Sequence, residues 1–435
     1  MAAKNEKLIV GLDVGTSKVC VVIGEVSRDN HVNIIGVGQS ASQGLSRGVV
    51  VSIEETAAAI AGAVEQAERQ ASLKIGSAFV GVAGAHISSI NSRGIISVAR
   101  PDRDITHEDV SRAIESARSV SIPTQREVLH VIPRTFVLDG QDGVRDPVGM
   151  SGYRLEVETH IVTGGVSSLN NLFKAVQRVG LEVDELVLEP LAASEAVLSD
   201  AEKRLGVVLI DIGAGTTDIA IFMDGTIWHT AVLPVGGSQF TNDIAIVLRT
   251  PPEVAERLKL RHGDASVVGP DKEAVGPGQH GAKLATSAEA PEDEMITVES
   301  FNGGTLPPVS KNTLNEIIYS RARQLFEMVQ AEIKKSGYDG MLPAGLVLTG
   351  GTVAMSGLAE AAAHVLKMPV RVGVPRGLSG LSDTLGAPNY AASVGLVLWG
   401  LKKTTGDELL LEARRGGGGL ALGRKVGGWF RNFLP

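Results

Sequence analysis

The sequence predicts an α/β protein built from two related halves, and three observations carry that expectation. Apolar strand-like runs alternate with segments of helical periodicity along the 435 residues. One local device, an apolar strand, an Asp-x-Gly turn and a second apolar strand, occurs twice, at Asp13 and again at Asp211. Between the two lies a segment with its own pattern of strands and one helix. A chain of this length, 43% hydrophobic, can bury the cores of two to four domains.

Taken in order, Lys7 to Val14 reads as a buried strand, Lys18 to Glu25 as its hairpin partner and His31 to Ser40 as a third strand. Ile53 to Ala71 has helical spacing, with Ser52 as N-cap and Glu55 completing a capping box. Gly84 to Val162 reads as a small inserted domain. Its strands fall at Ala85 to Asn91, Gly94 to Ala99, Glu127 to Leu138 and Tyr153 to Ile161, and its helix is capped by Thr106 with Asp109. The second cycle runs through strands Gly206 to Ile212, Thr217 to Asp224 and, after an Asp-Gly turn, Gly225 to Leu233. Asp264 to Pro308, rich in Gly, Pro and acids, reads as a loop-rich excursion, and Thr313 to Ser336 as a helix.

Composition bounds the function. The single cysteine, Cys20, excludes an internal disulfide, fits a reducing cytoplasm and reads as a buried, inert thiol within an apolar strand. No run approaches the roughly 20 apolar residues that span a bilayer, and the polar start Met1 to Lys7 lacks a signal-peptide core. The net charge of −8 is uneven. From Leu401 onward seven basic residues face three acids, so that stretch is +4 and the remainder −12. An acidic body argues against nucleic acid as a partner, and a basic tail points to an anionic surface.

The chemistry concentrates in the two turns, Asp13-Val14-Gly15-Thr16-Ser17-Lys18 and Asp211-Ile212-Gly213-Ala214-Gly215-Thr216-Thr217-Asp218. Gly15, Gly213 and Gly215 let backbone N–H groups approach phosphate oxygens, and Thr16, Ser17, Thr216 and Thr217 can add hydroxyl donors. Asp13 and Asp211 at the strand ends suit a hydrated Mg2+ ion, and Lys18 a terminal phosphate. One such turn is only a hairpin; a pair, one per half, points to a nucleotide. The strand Leu346 to Leu348 leads into Thr349-Gly350-Gly351-Thr352 and a helix-like run through Ala363, where a Gly-Gly turn can lie against a flat ring.

These stretches resemble the phosphate-1, phosphate-2 and adenosine motifs of the actin/Hsp70/hexokinase ATPase superfamily. Glu189-Pro190-Leu191-Ala192-Ala193 is similar to its first connecting helix, and Ala391 to Trp399 to its second. The resemblance is closer still to the FtsA family, the actin-like bacterial cell-division proteins, through Val128 to Arg134, Asp146 to Met150 and Ala255 to Lys259. It implies an actin-like ATPase fold with residues 1–83 and 163–203 as the first half and 84–162 as the inserted domain. Residues 204–230 and 308–400 form the second half, with 231–307 as an extra lobe. It also implies ATP and Mg2+ as ligands, Glu256 and Lys259 on the base and ribose side, and Glu189 as the carboxylate that orients water. Hydrolysis is at most slow. A pilus-assembly scaffold such as PilM is the nearest alternative, and a small-molecule kinase the next.

The tail carries a second signal. After a linker at 401–419 containing Gly416 to Gly419, Leu422, Val426, Trp429, Phe430 and Phe433 share one helical face, with Arg424, Lys425 and Arg431 away from its centre. A basic helix of this kind at 420–435 reads as an interfacial membrane anchor. The family resemblance adds the FtsZ C-terminal peptide, other divisome proteins and further copies of the chain as partners, on the cytoplasmic side of the inner membrane.

Overall fold

The computed structural model describes residues 7–98, 104–267, 294–301, 304 and 307–416. The two halves repeat one sheet plan. In the first, Lys7–Val14, Lys18–Val26 and Val32–Ala41 run antiparallel in succession. Ser77–Val82 and Glu182–Leu188 then add in parallel on the other side of the first strand. In the second half, Val207–Ile212, Thr217–Met223 and Thr226–Leu233 form the antiparallel meander. Leu346–Thr349 and Val370–Val372 are the parallel additions. Both meanders are near-continuous runs of Val, Ile and Leu because helices cover the sheets, leaving most of their residues fully buried.

Two helices join the halves. Pro190 sits in the first turn of Glu189–Val197, where its missing N–H costs nothing, and Ala391–Gly416 crosses that helix. At the crossing a Cβ on Gly395 would lie 1.9 Å from the Ala192 carbonyl oxygen, so only glycine permits this approach. The long helix continues through Gly416, whereas the sequence reading begins a flexible linker at residue 401. The run Glu408 to Ala413 consists of strong helix formers, and propensity there prolongs the helix until the glycines. The anchor residues Leu422, Arg424, Lys425, Val426, Trp429, Phe430, Arg431 and Phe433 lie outside the described residues. Among the described residues no helix is long and apolar enough to cross a membrane.

The insert is a four-stranded antiparallel sheet covered by helix His107–Arg118, which begins with a complete Thr106–Asp109 capping box. Its first strand is continuous over Ser88–Ser97, where the sequence reading breaks it between Asn91 and Gly94. Ser92 and Arg93 stay in register with Thr159 and Glu158. Gly94 serves the helix rather than a turn, since a Cβ there would sit 2.1 Å from the Ala113 carbonyl. At Ser52 only half of the expected capping box forms: its Oγ accepts from the Glu55 N–H, while its own N–H donates to the Gly44 carbonyl.

The insert also docks on the second half. The Arg134 guanidinium lies 3.9 Å from the Trp228 ring centroid and donates to the Tyr338 hydroxyl, and buried His160 hydrogen-bonds the Thr230 hydroxyl at 3.0 Å. Of the excursion predicted at 264–308, most lies outside the described residues; Met295–Ile296 pairs with Val309–Ser310 at its exit. Helices Gly237–Leu248, Pro252–His262 and Lys311–Ser336 share one apolar cluster with the second sheet, Phe240 and Ile318 packing with Val208 and Ile210.

Candidate functional site: the cleft between the halves

Each Asp-x-Gly turn closes its hairpin in the same way. The Gly15 N–H donates to the Lys18 carbonyl at 3.0 Å, and the Gly213 N–H to the Thr216 carbonyl at 2.9 Å. The turns face each other closely enough that a Cβ on Gly215 would stand 2.8 Å from the Thr16 hydroxyl. Between them lies a cavity of about 160 Å³. Asp13, Gly15, Thr16, Ser17 and Lys18 line it from the first half. Asp211, Gly213, Gly215 and Thr216 line it from the second, Gly350 and Gly351 from the adenosine-like turn, and Glu189 from the connecting helix.

The second turn is braced from behind. Its Gly213 carbonyl accepts from the Gly237 N–H and from the Thr352 hydroxyl, and its Ala214 carbonyl accepts from the Ser238 N–H. The first two N–H groups of helix Gly237–Leu248, which have no partner within the helix, are thus spent on the carbonyls of this loop. Two hydroxyls expected at the ligand are consumed in that bracing and do not line the cavity. Thr352 bonds Gly213, and fully buried Thr217 donates to the Val235 carbonyl. Strand alternation explains Thr217: it and Asp218 point to opposite faces, and Asp218 is the one that reaches the cleft.

Gly350 has φ +96°, and a Cβ there would stand 2.3 Å from Asp211 Oδ1, so glycine is required for the turn to approach the carboxylate. The Pro388 carbonyl accepts from the Gly350 N–H, and the Asn389 carbonyl takes the Lys18 ammonium at 2.8 Å. That short segment therefore ties the adenosine-like turn to the first half. Lys18 also lies 4.0 Å over the Tyr390 ring.

Glu256 and Lys259 share a face of helix Pro252–His262 as their spacing of three requires, and they pair at 2.7 Å. Neither lines the enclosed cavity. Lys259 donates to the Gly237 carbonyl and the Thr241 hydroxyl, which sets the pair beside the brace of the second turn.

Four carboxylates meet in the cleft: Asp13, Asp211, Asp218 and Glu189. Burial pushes Asp211 up to about 8, with Asp218 and Asp13 adding and Lys18 opposing. Burial takes Asp218 up to about 7 against its bond from Thr216. Asp13 is raised by burial despite Lys18 and the Ser393 hydroxyl, and Glu189 is raised well above the carboxylate range by burial and then by the three aspartates. One lysine does not balance four acids, and Asp218 Oδ1 is buried without a hydrogen-bond partner. Such a pocket is incomplete without positive charge. Among the described residues no group of three or more His, Cys, Asp or Glu is placed to hold a metal directly. The carboxylate oxygens present are hard donors of the kind that suits a cation keeping most of its waters.

Asp218, Gly48, Ala83, Pro388 and Asn389 line the cleft without having been singled out in the sequence. The hairpin pairing that sets Asp218 opposite Asp211 was the signal available for it; nothing local marks the other four. Cys20 is fully buried and its thiol is pushed up to about 11, as its apolar strand led one to expect.

Two mirrored sheets with paired glycine turns across a central cleft define a protein of the actin-like ATPase fold. Solved structures agree on that fold. The PilM-PilN type IV pilus biogenesis complex superposes with TM-score 0.63 at 16% identity, over 90% of this chain and 98% of that one. MreB5 of Spiroplasma citri, solved bound to ADP, gives 0.52 at 13% identity, over 93% and 98%. The chain belongs to the FtsA cell-division protein family. The family profile "Cell division protein FtsA" matches residues 208–395, and "SHS2 domain inserted in FTSA" matches 84–163. FtsA of Pseudomonas aeruginosa is 45% identical over 92% of this chain and 91% of its own length. FtsA of Escherichia coli K12 is 36% identical over 99% and 97%, and that of Bacillus subtilis 40% over 90% and 83%.

Proposed function

We propose that this chain binds ATP in the cleft, polymerises, and tethers the FtsZ ring to the cytoplasmic face of the inner membrane at the division site, helping to assemble the divisome. The observation that carries the reading is the pair of glycine turns facing each other over three buried aspartates and the half-buried Glu189. Amides of the turns cradle the phosphates, with Thr16, Ser17 and Thr216 as added donors and Lys18 as the cation. Asp13 and Asp211, with Asp218, hold hydrated Mg2+, which supplies the missing positive charge. Lys259 and Glu256 flank the base and ribose.

Glu189 orients the attacking water. Burial and the three neighbouring aspartates hold its carboxyl well above the usual carboxylate range, and hydrolysis is at most slow. A filament scaffold needs no rapid turnover, and the full-length match to FtsA relatives favours it over a pilus-assembly scaffold or a metabolite kinase.

Membrane attachment rests on the sequence pattern of the tail. Five large apolar side chains on one face contribute at most about 1.5–3 kcal/mol each on burial, and helix ordering offsets much of that. One tail binds reversibly, and an array of tails on a filament binds firmly. The FtsZ C-terminal peptide, other divisome proteins and further copies of the chain are the partners the family assigns.

Vesicle co-sedimentation of the full chain, with and without anionic lipid, tests the anchor. Trp429→Glu should abolish pelleting and leave ATP binding intact, while Arg424→Ala with Lys425→Ala should weaken pelleting on anionic vesicles by about 1 kcal/mol per charge. A Trp429→Glu chain that pellets like the parent removes the tail as anchor.

A further inference from the structure

The short hairpin Leu45–Ser46 to Val49–Val50 turns through Arg47 and Gly48, with φ +50° and +74°. A two-residue hairpin with both φ values positive is the I′ pattern, whose first position favours Asn, Asp or Gly because other side chains are strained there. This chain instead places an arginine at that position.

The turn touches both phosphate loops. The Gly48 N–H donates to the Thr16 hydroxyl at 3.2 Å, and a Cβ on Gly215 would stand 3.0 Å from Arg47 Cα. On its far side Gly48 presses on the base of the insert, where its Cβ position falls 2.7 Å from Gly84 Cα. Wedged in this way, the strained conformation is imposed from outside, the circumstance in which such outliers persist at functional sites. The Arg47 side chain is exposed, and no ion pair engages it among the described residues.

We propose that Arg47 is a further ligand-contacting residue of the cleft, recruited onto the terminal phosphate of a bound nucleoside triphosphate. The proposal rests on the nucleotide reading given above and deepens it. Its backbone touches the glycine whose neighbours cradle phosphate, while its exposed side chain does not line the cavity, so the guanidinium must swing inward when the nucleotide binds. A terminal phosphate adds negative charge to a pocket already rich in carboxylates, with Lys18 as its one lining cation. Arginine's planar fork is suited to two phosphate oxygens at once, which a lysine at this position matches only as a point charge.

The test is equilibrium binding of ATP and of ADP, each with Mg2+, to the full chain and to Arg47→Gly and Arg47→Lys. Glycine accepts the positive φ, so Arg47→Gly keeps the turn and removes only the side chain. It should weaken ATP about 10- to 100-fold and leave ADP unchanged, with Arg47→Lys recovering part of the loss. An unchanged ATP-to-ADP affinity ratio in Arg47→Gly overturns the proposal, as does an equal loss for both nucleotides, which marks a structural role. A parent chain that binds neither nucleotide takes down the nucleotide reading itself, and this proposal with it. A parent that binds both while Arg47→Gly keeps the parental ratio removes this proposal alone.

Discussion

The first hairpin sets Asp13 opposite Cys20, whereas the second, in the same register, sets Asp211 opposite Asp218. The two turns share a backbone and differ in what surrounds it. The second is held from behind by the start of a helix and by the Thr352 hydroxyl, and it presents two carboxylates. The first carries Lys18 and is linked outward through Ser17 and Thr16 to residues 42 and 48. One half thus offers a rigid, acidic cradle and the other a cation on a more lightly braced loop. A duplicated device has been divided into complementary roles by the residues packed against it.

That contrast breaks most sharply at the point where the turns meet. Gly215→Val adds side-chain bulk between the second turn, Thr16 and Arg47, and must push the halves apart. Binding of a fluorescent ATP analogue should be lost while circular dichroism remains that of the parent. Retained affinity would separate the turns from phosphate recognition.

On the other side of the comparison, Lys18→Gln removes the cation from the first turn and leaves the brace of the second untouched. ATP affinity should fall about 10- to 100-fold, the range for a hydrogen bond to a charged group. Isothermal titration measures it, and a variant equal to the parent assigns the phosphate charge to other groups.

The smallest effect is a pH slope, to which the second hairpin contributes Asp211 and Asp218 and to which Asp13 and Glu189 add in the same sense. Asp211 and Asp218 titrate at about 8 and about 7 when folded, above their unfolded values. The folded state therefore holds more protons, and the stability these groups contribute is fully present below their unfolded value of 3.8 and is lost progressively as pH rises from there through 7 to 8. Half-buried His86 and buried His130, lowered to about 4, and buried His160, lowered to about 3, act in the opposite sense, but only below their unfolded value of 6.5. Between pH 6.5 and 8.5 the denaturation midpoint of the ligand-free chain should fall, and Asp218→Asn should flatten the fall. A midpoint that is level or rising over this window contradicts the carboxylate cluster.

The sequence by itself determined the two hairpins, the insert's capped helix and the Gly-Gly turn, because each is written in neighbouring residues: period-two apolar runs, a carboxylate at a strand end, glycine where backbone must come close. It also broke a strand at Ser92 and Arg93, ahead of Gly94, since the reason for that glycine, the helix carbonyl of Ala113 lying over it, is remote in the chain. Only the tertiary structure decided which hydroxyls face the cleft. Thr217 and Thr352 are spent on Val235 and Gly213, contacts fixed by how a helix start and a 3-10 turn pack on the loop. Only the tertiary structure, likewise, gathered residues 13, 189, 211 and 218 into one acidic pocket and brought Arg47 against Gly215. Those meetings depend on two connecting helices crossing at Gly395 and Ala192, a close approach that joins segments far apart in the chain and leaves no periodic trace in either.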